Sequence, residues 1–326
     1  MKKYQVRKYT TDYYSKWNEF VANAKNATFL FHRDFMEYHS DRFEDYSLLV
    51  FDEKENLKAI LPANRVGDIL YSHQGLTYGG LVLNSKSKLS EVIFIIKSVL
   101  KFLCESDIKT LELKQIPTIY NDFPSDEMEY ILFILEAKLI RKDSLSTIKL
   151  EDKIKFTKTR RESISRGLKN NLKIIEDNNL ELFWNDILIP NLNRKHQVKP
   201  VHTIEEIKKL MSIFPEKIRH FNVYHNDRIV AGTMVFITKN VAHPQYISGN
   251  KNKNELGSLD YLYNYLITDV FKDKKYFDFG ISNENNGKNI NEGLLFWKES
   301  FGARTIVQNF YAIETKNFNK LETILI

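Results

Sequence analysis

Two neighbouring segments of the C-terminal half contain side chains suited to acid–base chemistry. His243 and Tyr246 lie on either side of Pro244 in a run that otherwise predicts a β-strand, and Asp278 interrupts the aromatic run at residues 276–280. Alternation along a strand places Asp278 on the face opposite the phenylalanines beside it. A carboxylate or imidazole can take the proton of an attacking amine, and a phenol can protonate a leaving group. Asp278 is a candidate base or a structural acid, His243 is the rival base, and Tyr246 is a candidate acid.

A glutamate and a lysine follow in the chain. Glu284 lies in the loop after the aromatic strand and is a further candidate base. Lys298 lies at the edge of an aromatic stripe on a helix predicted for residues 291–301. Its ammonium either extends to solvent along the aromatic surface or supplies positive charge to a reacting carbonyl.

A lysine-bearing loop precedes another predicted helix. Residues 249–257 are polar, and the apolar residues after them recur at helical spacing, with Ser258 as the predicted N-cap. Free N–H groups and the dipole at a helix start favour an anion, although an ordinary surface loop would have the same composition. The candidate residues for binding a phosphate-bearing donor are Gly249, Lys251, Lys253, Gly257 and Ser258.

The elements that position these residues alternate along the chain. Strands are predicted at 229–238, 241–248 and 276–280, with the helix from residue 258 between the last two. A strand joined through a helix to the next strand implies a parallel pair with a right-handed crossover. Pro244 cannot donate to a ladder, which predicts an edge, a bulge or a splayed pair. A splay leaves main-chain groups for an extended ligand, and with the anion-binding loop it suits an acyl-coenzyme A.

The run Phe277-Asp-Phe-Gly-Ile-Ser282 and the segment Asn291-Glu-Gly-Leu-Leu-Phe-Trp-Lys-Glu-Ser-Phe-Gly302 resemble the C-terminal half of the GNAT-fold transferases, which include the Fem-type peptidyltransferases. That family has an aromatic-x-Lys-x-x-Phe-Gly signature after an Asp-bearing strand. The resemblance implies two GNAT-like domains in tandem and an oxyanion-stabilising role for Lys298. The chain lacks the long charged heptad segment that forms a helical arm in many Fem proteins. It is therefore more similar to the relatives that acylate amino sugars from coenzyme A thioesters.

The first half of the chain has the same order of elements as the second. A hairpin predicted at 46–51 and 57–66 is followed by a helix at 89–105 and a strand at 110–113. A duplicated fold explains this order, and two unrelated α+β domains would also fit it. We predict an α/β (α+β) protein with two tandem GNAT-like domains, each a mixed, mostly antiparallel sheet flanked by helices. The predicted domains are 1–150, on the acceptor side, and 151–326, which binds the acyl donor.

Two segments and the single residue His202 are candidates for acceptor binding in the predicted cleft between the domains. Residues 72–80 contain three glycines among aromatic and hydroxyl residues, and residues 158–169 form the densest basic run, which is also typical of a solvated helical face. Arginine forks suit the diphosphate of a nucleotide sugar. The candidate acceptor-binding residues are His73, Tyr78, Arg160, Arg161 and His202.

The amino-acid composition limits the classes of protein to which this chain could belong. Among 326 residues, 43% are hydrophobic and 13% aromatic, enough for sizeable cores, and the net charge of +6 suits anionic ligands. The single cysteine, the lack of an apolar leader and the scattered histidines predict a cytoplasmic protein with no metal site. We expect N-acyl transfer from acyl-coenzyme A, a co-substrate and not a resident cofactor, to a nucleotide-linked amino sugar of polysaccharide biosynthesis. The alternatives are a Fem-like transferase that uses aminoacyl-tRNA for peptidoglycan and a non-catalytic binding module.

Overall fold

The computed structural model describes residues 3–325, apart from the side chains of residues 195 and 196. The chain forms two compact units, Met1–Asp143 with Val307–Ile326, and Ser144–Ile306. This division differs from the predicted one at residue 150. The C-terminal residues belong to the first unit because strand Arg304–Glu314 pairs with Thr110–Lys114 from Phe310 onward. The chain also passes from the first unit to the second within strand Lys138–Lys149, between Asp143 and Ser144, and not in a linker.

The first unit contains two groups of paired strands around one apolar core. The strands are Gln5–Lys8, Glu44–Asp45, Leu48–Phe51, Leu57–Leu61, Asn64–Val66, Ile69–Tyr71, Val82–Leu83 and Thr110–Lys114. The α-helices are Tyr14–Asn23, Arg33–Met36, Leu89–Glu105 and Glu127–Ile134. Short 3-10 helices are Thr11–Tyr13, Phe29–Phe31, Glu37–His39, Thr118–Tyr120 and Thr315–Leu321. Leu89–Glu105 fills the core with a stripe of isoleucine, valine and leucine at helical spacing, as its sequence predicts.

The second unit is built on one mixed sheet. Its strands follow the order Lys173–Glu176, Ile218–His225, Arg228–Ile237, Val241–Gly249, Tyr276–Ile281 and residues 144–149. All neighbours are antiparallel except Val241–Gly249 and Tyr276–Ile281, which are parallel. The predicted parallel pair is therefore confirmed, and so is the mixed, mostly antiparallel fold class with flanking helices.

Helices cover the sheet of the second unit on both sides. They are Lys158–Lys169, Leu180–Leu182, Ile189–His196, Ile204–Ile213, Lys253–Leu256, Ser258–Tyr265 and Glu292–Glu299, with π-helical turns at Phe183–Leu188 and Leu266–Val270. A small hairpin, Asn283–Glu284 with Asn289–Ile290, precedes the last helix. Tyr263, Phe277, Phe279 and Phe301 are buried in one aromatic core, whose ring centroids lie 5.0–6.2 Å apart in the pairs that touch.

The start of helix Ser258–Tyr265 differs from its prediction. Gly257, with φ +68°, occupies the N-cap position, and Ser258 is the first helical residue. The polar loop before it contains the short helix Lys253–Leu256, which ends at Gly257. The prediction that Ser258 is the N-cap was therefore wrong, because the left-handed glycine already ends one helix and begins the next.

No helix within residues 3–325 has the length and apolar character needed to cross a membrane.

Candidate active site

The parallel strands of the second unit separate at Pro244. Their register pairs Val241 with Tyr276 and Ala242 with Phe277 and goes no further. Tyr276 N–H donates to the Asn240 carbonyl oxygen at 3.0 Å, so alternation would have residue 244 donate to the Asp278 carbonyl oxygen. Proline has no N–H to give. A register shift against the other neighbouring strand follows at once, so both the splay and the bulge predicted from Pro244 are confirmed.

His243 replaces the hydrogen bond that Pro244 cannot make. Its Nδ1 lies 2.9 Å from the main-chain oxygen of Asp278. Because a carbonyl oxygen only accepts, Nδ1 carries the hydrogen and Nε2 keeps its lone pair. The same Nδ1 lies 3.3 Å from Oδ2 of Asp278, and the His243 side chain is 15% exposed. The arrangement holds an imidazole at the opening of the splay with its basic nitrogen directed away from Asp278.

Asp278 is fully buried, and its carboxylate is engaged from several sides. Its Oδ1 accepts from the Gly280 N–H at 2.8 Å and from the Thr147 hydroxyl at 3.4 Å. Phe277 and Phe279 point into the aromatic core, which confirms that Asp278 faces the other side of the sheet. A carboxylate held in this way is suited to orient His243.

Lys298 is buried beside this pair. It lies in helix Glu292–Glu299, and its Nζ donates to the carbonyl oxygens of Gly280 at 2.9 Å and Ile281 at 2.6 Å. Burial lowers the pKa of Lys298 to about 8, and the charge of Asp278 opposes that shift. An ammonium has three N–H groups, and the two strand carbonyl oxygens accept from two of them.

Gly280 joins His243, Asp278 and Lys298 in one cluster. Its φ of +72° belongs to the left-handed region, and a Cβ there would lie 3.0 Å from Cε1 of His243. The turn at Gly280 and the hydrogen bonds of Asp278 and Lys298 hold the His243, Asp278 and Lys298 side chains beside one another at the splay. Thr147 and Gly280 were not identified from the sequence. Thr147 becomes visible only once strand Lys138–Lys149 is paired opposite Asp278.

Tyr246 and His202 contact each other. The Tyr246 phenol oxygen accepts from the main-chain N–H of His202 at 3.2 Å and lies 2.6 Å from its Nδ1. Its ring packs against Trp184 with centroids 4.9 Å apart. Burial raises the pKa of Tyr246 to about 12, so the phenol keeps its proton at neutral pH. His202 is buried, and its proposed contact with the acceptor remains a prediction.

Glu284 lies outside the cluster. It is exposed in the small hairpin and accepts a hydrogen bond of 3.1 Å from the side chain of Asn291. Its role as a base remains a prediction without support from a neighbouring catalytic side chain among the described residues.

The loop predicted to bind the donor lies at the end of strand Val241–Gly249. Lys251 is exposed and Lys253 is half-buried, whereas Gly249 and Ser258 are buried. The N–H groups of residues 258–260 meet no main-chain acceptor within residues 3–325, as expected at a helix start. A Cβ at Gly257 would lie 2.2 Å from the Ser163 carbonyl oxygen, so this glycine permits close helix packing. The loop therefore presents two lysines beside free N–H groups.

The two predicted phosphate-binding arginines have different surroundings. Arg160 is buried, pairs with Asp260, donates to the Ser300 hydroxyl at 2.8 Å and lies 4.8 Å from the centroid of the Phe301 ring. Arg161 is exposed on the same helix. The structure thus gives Arg160 a packing role, and Arg161 is the member of the pair that is accessible to a ligand.

Single substitutions separate those two roles. Arg160→Ala should lower the free energy of unfolding by about 3–5 kcal/mol, because it leaves the buried Asp260 carboxylate unpaired. Arg161→Ala should leave stability unchanged, and a raised KM for a diphosphate-bearing acceptor with a nearly constant donor KM would show that Arg161 contacts the acceptor phosphate. Urea unfolding and initial-rate kinetics measure the two effects. An unchanged acceptor KM in Arg161→Ala would remove this helix from the acceptor site.

His73 and Tyr78 are buried within the first unit. His73 has φ +73°, and its Nδ1 accepts from the Gly75 N–H at 3.2 Å. Burial lowers the pKa of His73 to about 3, so the ring is neutral at pH 7. The Tyr78 phenol donates to the Thr28 hydroxyl at 3.0 Å. Both side chains are packed inside their unit, and their contact with an acceptor remains a prediction.

Comparison with known proteins places the fold. No family model and no curated protein matches the sequence. The structure is similar to that of FemX, with a TM-score of 0.67 and 10% identity over 98% of this chain and 99% of that one. It is also similar to L-PGS from Bacillus licheniformis, with a TM-score of 0.59 and 14% identity over 92% and 91% of the two chains. A tandem GNAT protein from the clavulanic acid biosynthesis pathway matches with a TM-score of 0.50 and 10% identity over 96% and 99%. The chain therefore has the fold of the tandem GNAT proteins.

Within residues 3–325, no group of three histidine, cysteine or acidic side chains is arranged to hold a metal ion.

Proposed function

We propose that the protein is an N-acyltransferase that moves an acyl group from acyl-coenzyme A to the amino group of a nucleotide-linked amino sugar in cell-surface polysaccharide biosynthesis. The observation that carries this proposal is the splay at Pro244, which has His243, Asp278 and Lys298 clustered at its opening. An extended pantetheine chain would pair with the freed strand edge, and its phosphates would lie at the helix that starts at Ser258. The tandem GNAT fold supports this use of the splay.

The mechanism follows from the positions of the three side chains. The amine attacks in its neutral form, and as the C–N bond forms Nε2 of His243 takes the proton that the nitrogen must lose, while Asp278 holds the ring in the required tautomer. The amine nitrogen bonds to the thioester carbon, and the carbonyl oxygen gains negative charge, which the ammonium of Lys298 stabilises. The C–S bond then breaks, and the thiolate receives a proton from the His243 imidazolium or from Tyr246. The products are the amide and free coenzyme A.

The donor loop gives a direct binding test. Replacing Lys251 and Lys253 together with alanine should weaken coenzyme A binding by about tenfold or more, because charge-assisted bonds to phosphate are lost. Replacing Lys272 and Lys275, two exposed lysines outside that loop, is the matched control and should leave affinity unchanged. Calorimetry measures both variants. Equal affinity in the loop variant and the parent would contradict the assignment of the donor site.

A Fem-like transferase that draws amino acids from tRNA is the second candidate, and the similarity to FemX favours it. Against it stands the lack of a charged heptad segment. The longest described helix, Leu89–Glu105, has 17 residues and is packed in the core of the first unit. A third possibility, a non-catalytic binding module, differs from both because it would bind a ligand without turnover.

One screen separates the three candidates. Acyl-coenzyme A thioesters are combined with nucleotide-linked amino sugars, and release of free thiol reports transfer. Thiol release that depends on both substrates supports the proposal. Transfer from aminoacyl-tRNA alone supports the Fem-like candidate, and coenzyme A binding without turnover supports the binding module.

A further inference from the structure

A basic groove of about 370 Å³ lies in the second unit and shares only Thr147 with the residues assigned above. Strand residues Thr147, Lys149 and Tyr276 line it, together with the loop from Asp152 to Lys155 and residues Gly302, Arg304 and Ile306. Its volume is in the range of small-molecule sites.

Three cations of this groove have no carboxylate to neutralise them. Lys149 pairs with Glu151 and lies 3.7 Å from Asp152. Lys153, Lys155 and Arg304 form no ion pair within residues 3–325. Positive charge concentrated in a concave surface attracts an anionic ligand.

Thr147 belongs to both the groove and the candidate active site. It lines the groove, and its hydroxyl lies 3.4 Å from Oδ1 of Asp278. The pair Lys149–Tyr276 lies two positions along the register from the pair Thr147–Asp278, so these side chains share one face of the sheet. Two residues of strand correspond to about 7 Å. The basic groove therefore begins about two strand residues from Asp278.

Gly302 holds the wall of the groove in place. Its φ is +89°, and a Cβ there would lie 3.2 Å from Cγ2 of Ile154 and 3.5 Å from the Lys155 carbonyl oxygen. The loop that carries Lys153 and Lys155 thus packs directly against the Phe-Gly end of the signature segment. A side chain at position 302 would be strained at this φ and would press against Ile154 of the loop.

We infer that the groove binds the diphosphate of the acceptor, a substrate subsite that rests on the proposed function. In a nucleotide-linked amino sugar, one pyranose ring separates the diphosphate from the amino group, so the two groups need neighbouring sites, and Thr147 joins the groove to Asp278. Arg304 offers a planar fork to phosphate oxygens, and Lys153 and Lys155 offer point charges. The ring of Tyr276 and the side chains of Ile154 and Ile306 supply apolar surface for the sugar or base.

Inorganic pyrophosphate is the probe for the subsite itself. The parent protein, Lys153→Ala/Lys155→Ala and Arg304→Gln are titrated by calorimetry, with Lys209→Ala as the control because Lys209 is an exposed lysine outside the groove. Each groove variant should bind about tenfold more weakly or worse, since charge-assisted bonds to phosphate are lost. The control should bind as the parent does. Equal affinity in all four proteins, or complete displacement of pyrophosphate by coenzyme A, would overturn the inference.

Kinetics then distinguishes failure of the subsite from failure of the proposed function. The groove variants should raise KM for a nucleotide-linked amino sugar tenfold or more and leave KM for the free amino sugar unchanged. Equal effects on both acceptors would overturn the subsite while the acyltransferase proposal stands. If no acceptor is acylated at all, the proposed function fails, and the pyrophosphate titration alone decides whether the groove is an anion site.

Discussion

Lys298→Met should lower kcat by about two orders of magnitude or more, as loss of one oxyanion donor does in acyl transfer. Methionine matches the length of the lysine stem but has no N–H. It therefore removes the charge next to the reacting carbonyl and leaves the side chain's packing nearly unchanged. Lys298→Arg should restore activity only in part, because a planar guanidinium cannot occupy the same point between the Gly280 and Ile281 carbonyl oxygens.

The loss of turnover in Lys298→Met has to be separated from any loss of stability. Lys298 is buried, and methionine leaves two strand carbonyl oxygens without their donor, so a lower Tm is expected as well. Activity is therefore measured well below the Tm of the variant, alongside coenzyme A affinity. Lys288→Met replaces an exposed lysine of the small hairpin and should change neither quantity. A Lys298→Met protein with near-normal turnover would remove Lys298 from the mechanism.

The pH profile gives an independent measure of the same group. Burial lowers the pKa of Lys298 to about 8, so its ammonium is present below that pH and is lost as the pH rises through it. The rate should consequently fall above pH 8 in the parent protein. In Lys298→Arg this alkaline decline should disappear, since the guanidinium stays charged. A decline that persists unchanged in the arginine variant would assign it to another group.

The sequence was sufficient for the features that depend on local chemistry. Backbone geometry accounts for the missing N–H of Pro244 and for the alternation of Asp278 with two phenylalanines. Side-chain periodicity accounts for the helical stripe of Leu89–Glu105. For this reason the splay, the face of Asp278 and the helix bounds agree with the structure. The hairpin predicted through residue 66 ends instead at Leu61, and Asn64–Val66 joins a different set of strands.

The differences arise where distant segments meet. Thr147 and the C-terminal strand Arg304–Glu314 acquire their roles from partners more than a hundred residues away, which no local pattern reveals. The basic run at residues 158–169 predicted two similar arginines. Only the fold shows that Arg160 is directed inward to Asp260, whereas Arg161 remains exposed. A helical charge pattern does not specify which of two adjacent cations faces a buried carboxylate.

The second large effect is expected at His243, where the sequence left Asp278 and His243 as rival bases. The structure separates their roles, because the Asp278 carboxylate is fully buried and already accepts hydrogen bonds, whereas the His243 ring is partly exposed. If His243 is the base, its Nε2 lone pair is essential. Nδ1 then serves only to hold the ring against the Asp278 carbonyl oxygen.

Replacing His243 with asparagine or with glutamine tests its two ring nitrogens separately. The Nδ2 of asparagine occupies nearly the position of Nδ1 in histidine, so His243→Asn retains the hydrogen bond to Asp278 and deletes the base. Glutamine reaches the position of Nε2 with an amide that cannot take a proton. Both variants should therefore lose about a hundredfold or more in kcat, the usual contribution of a general base. His243→Asn should keep the parent Tm, whereas His243→Gln should lower it.

Asp278→Asn completes the test of the base. An asparagine there still accepts from the Gly280 N–H but no longer favours the imidazolium that forms during the reaction. Its kcat should fall but stay measurable, because Nε2 of His243 is still present to take the proton. If instead His243→Asn retains most of its activity and Asp278→Asn abolishes it, then the buried carboxylate is the base. The imidazole would in that case serve only to replace the N–H that Pro244 lacks.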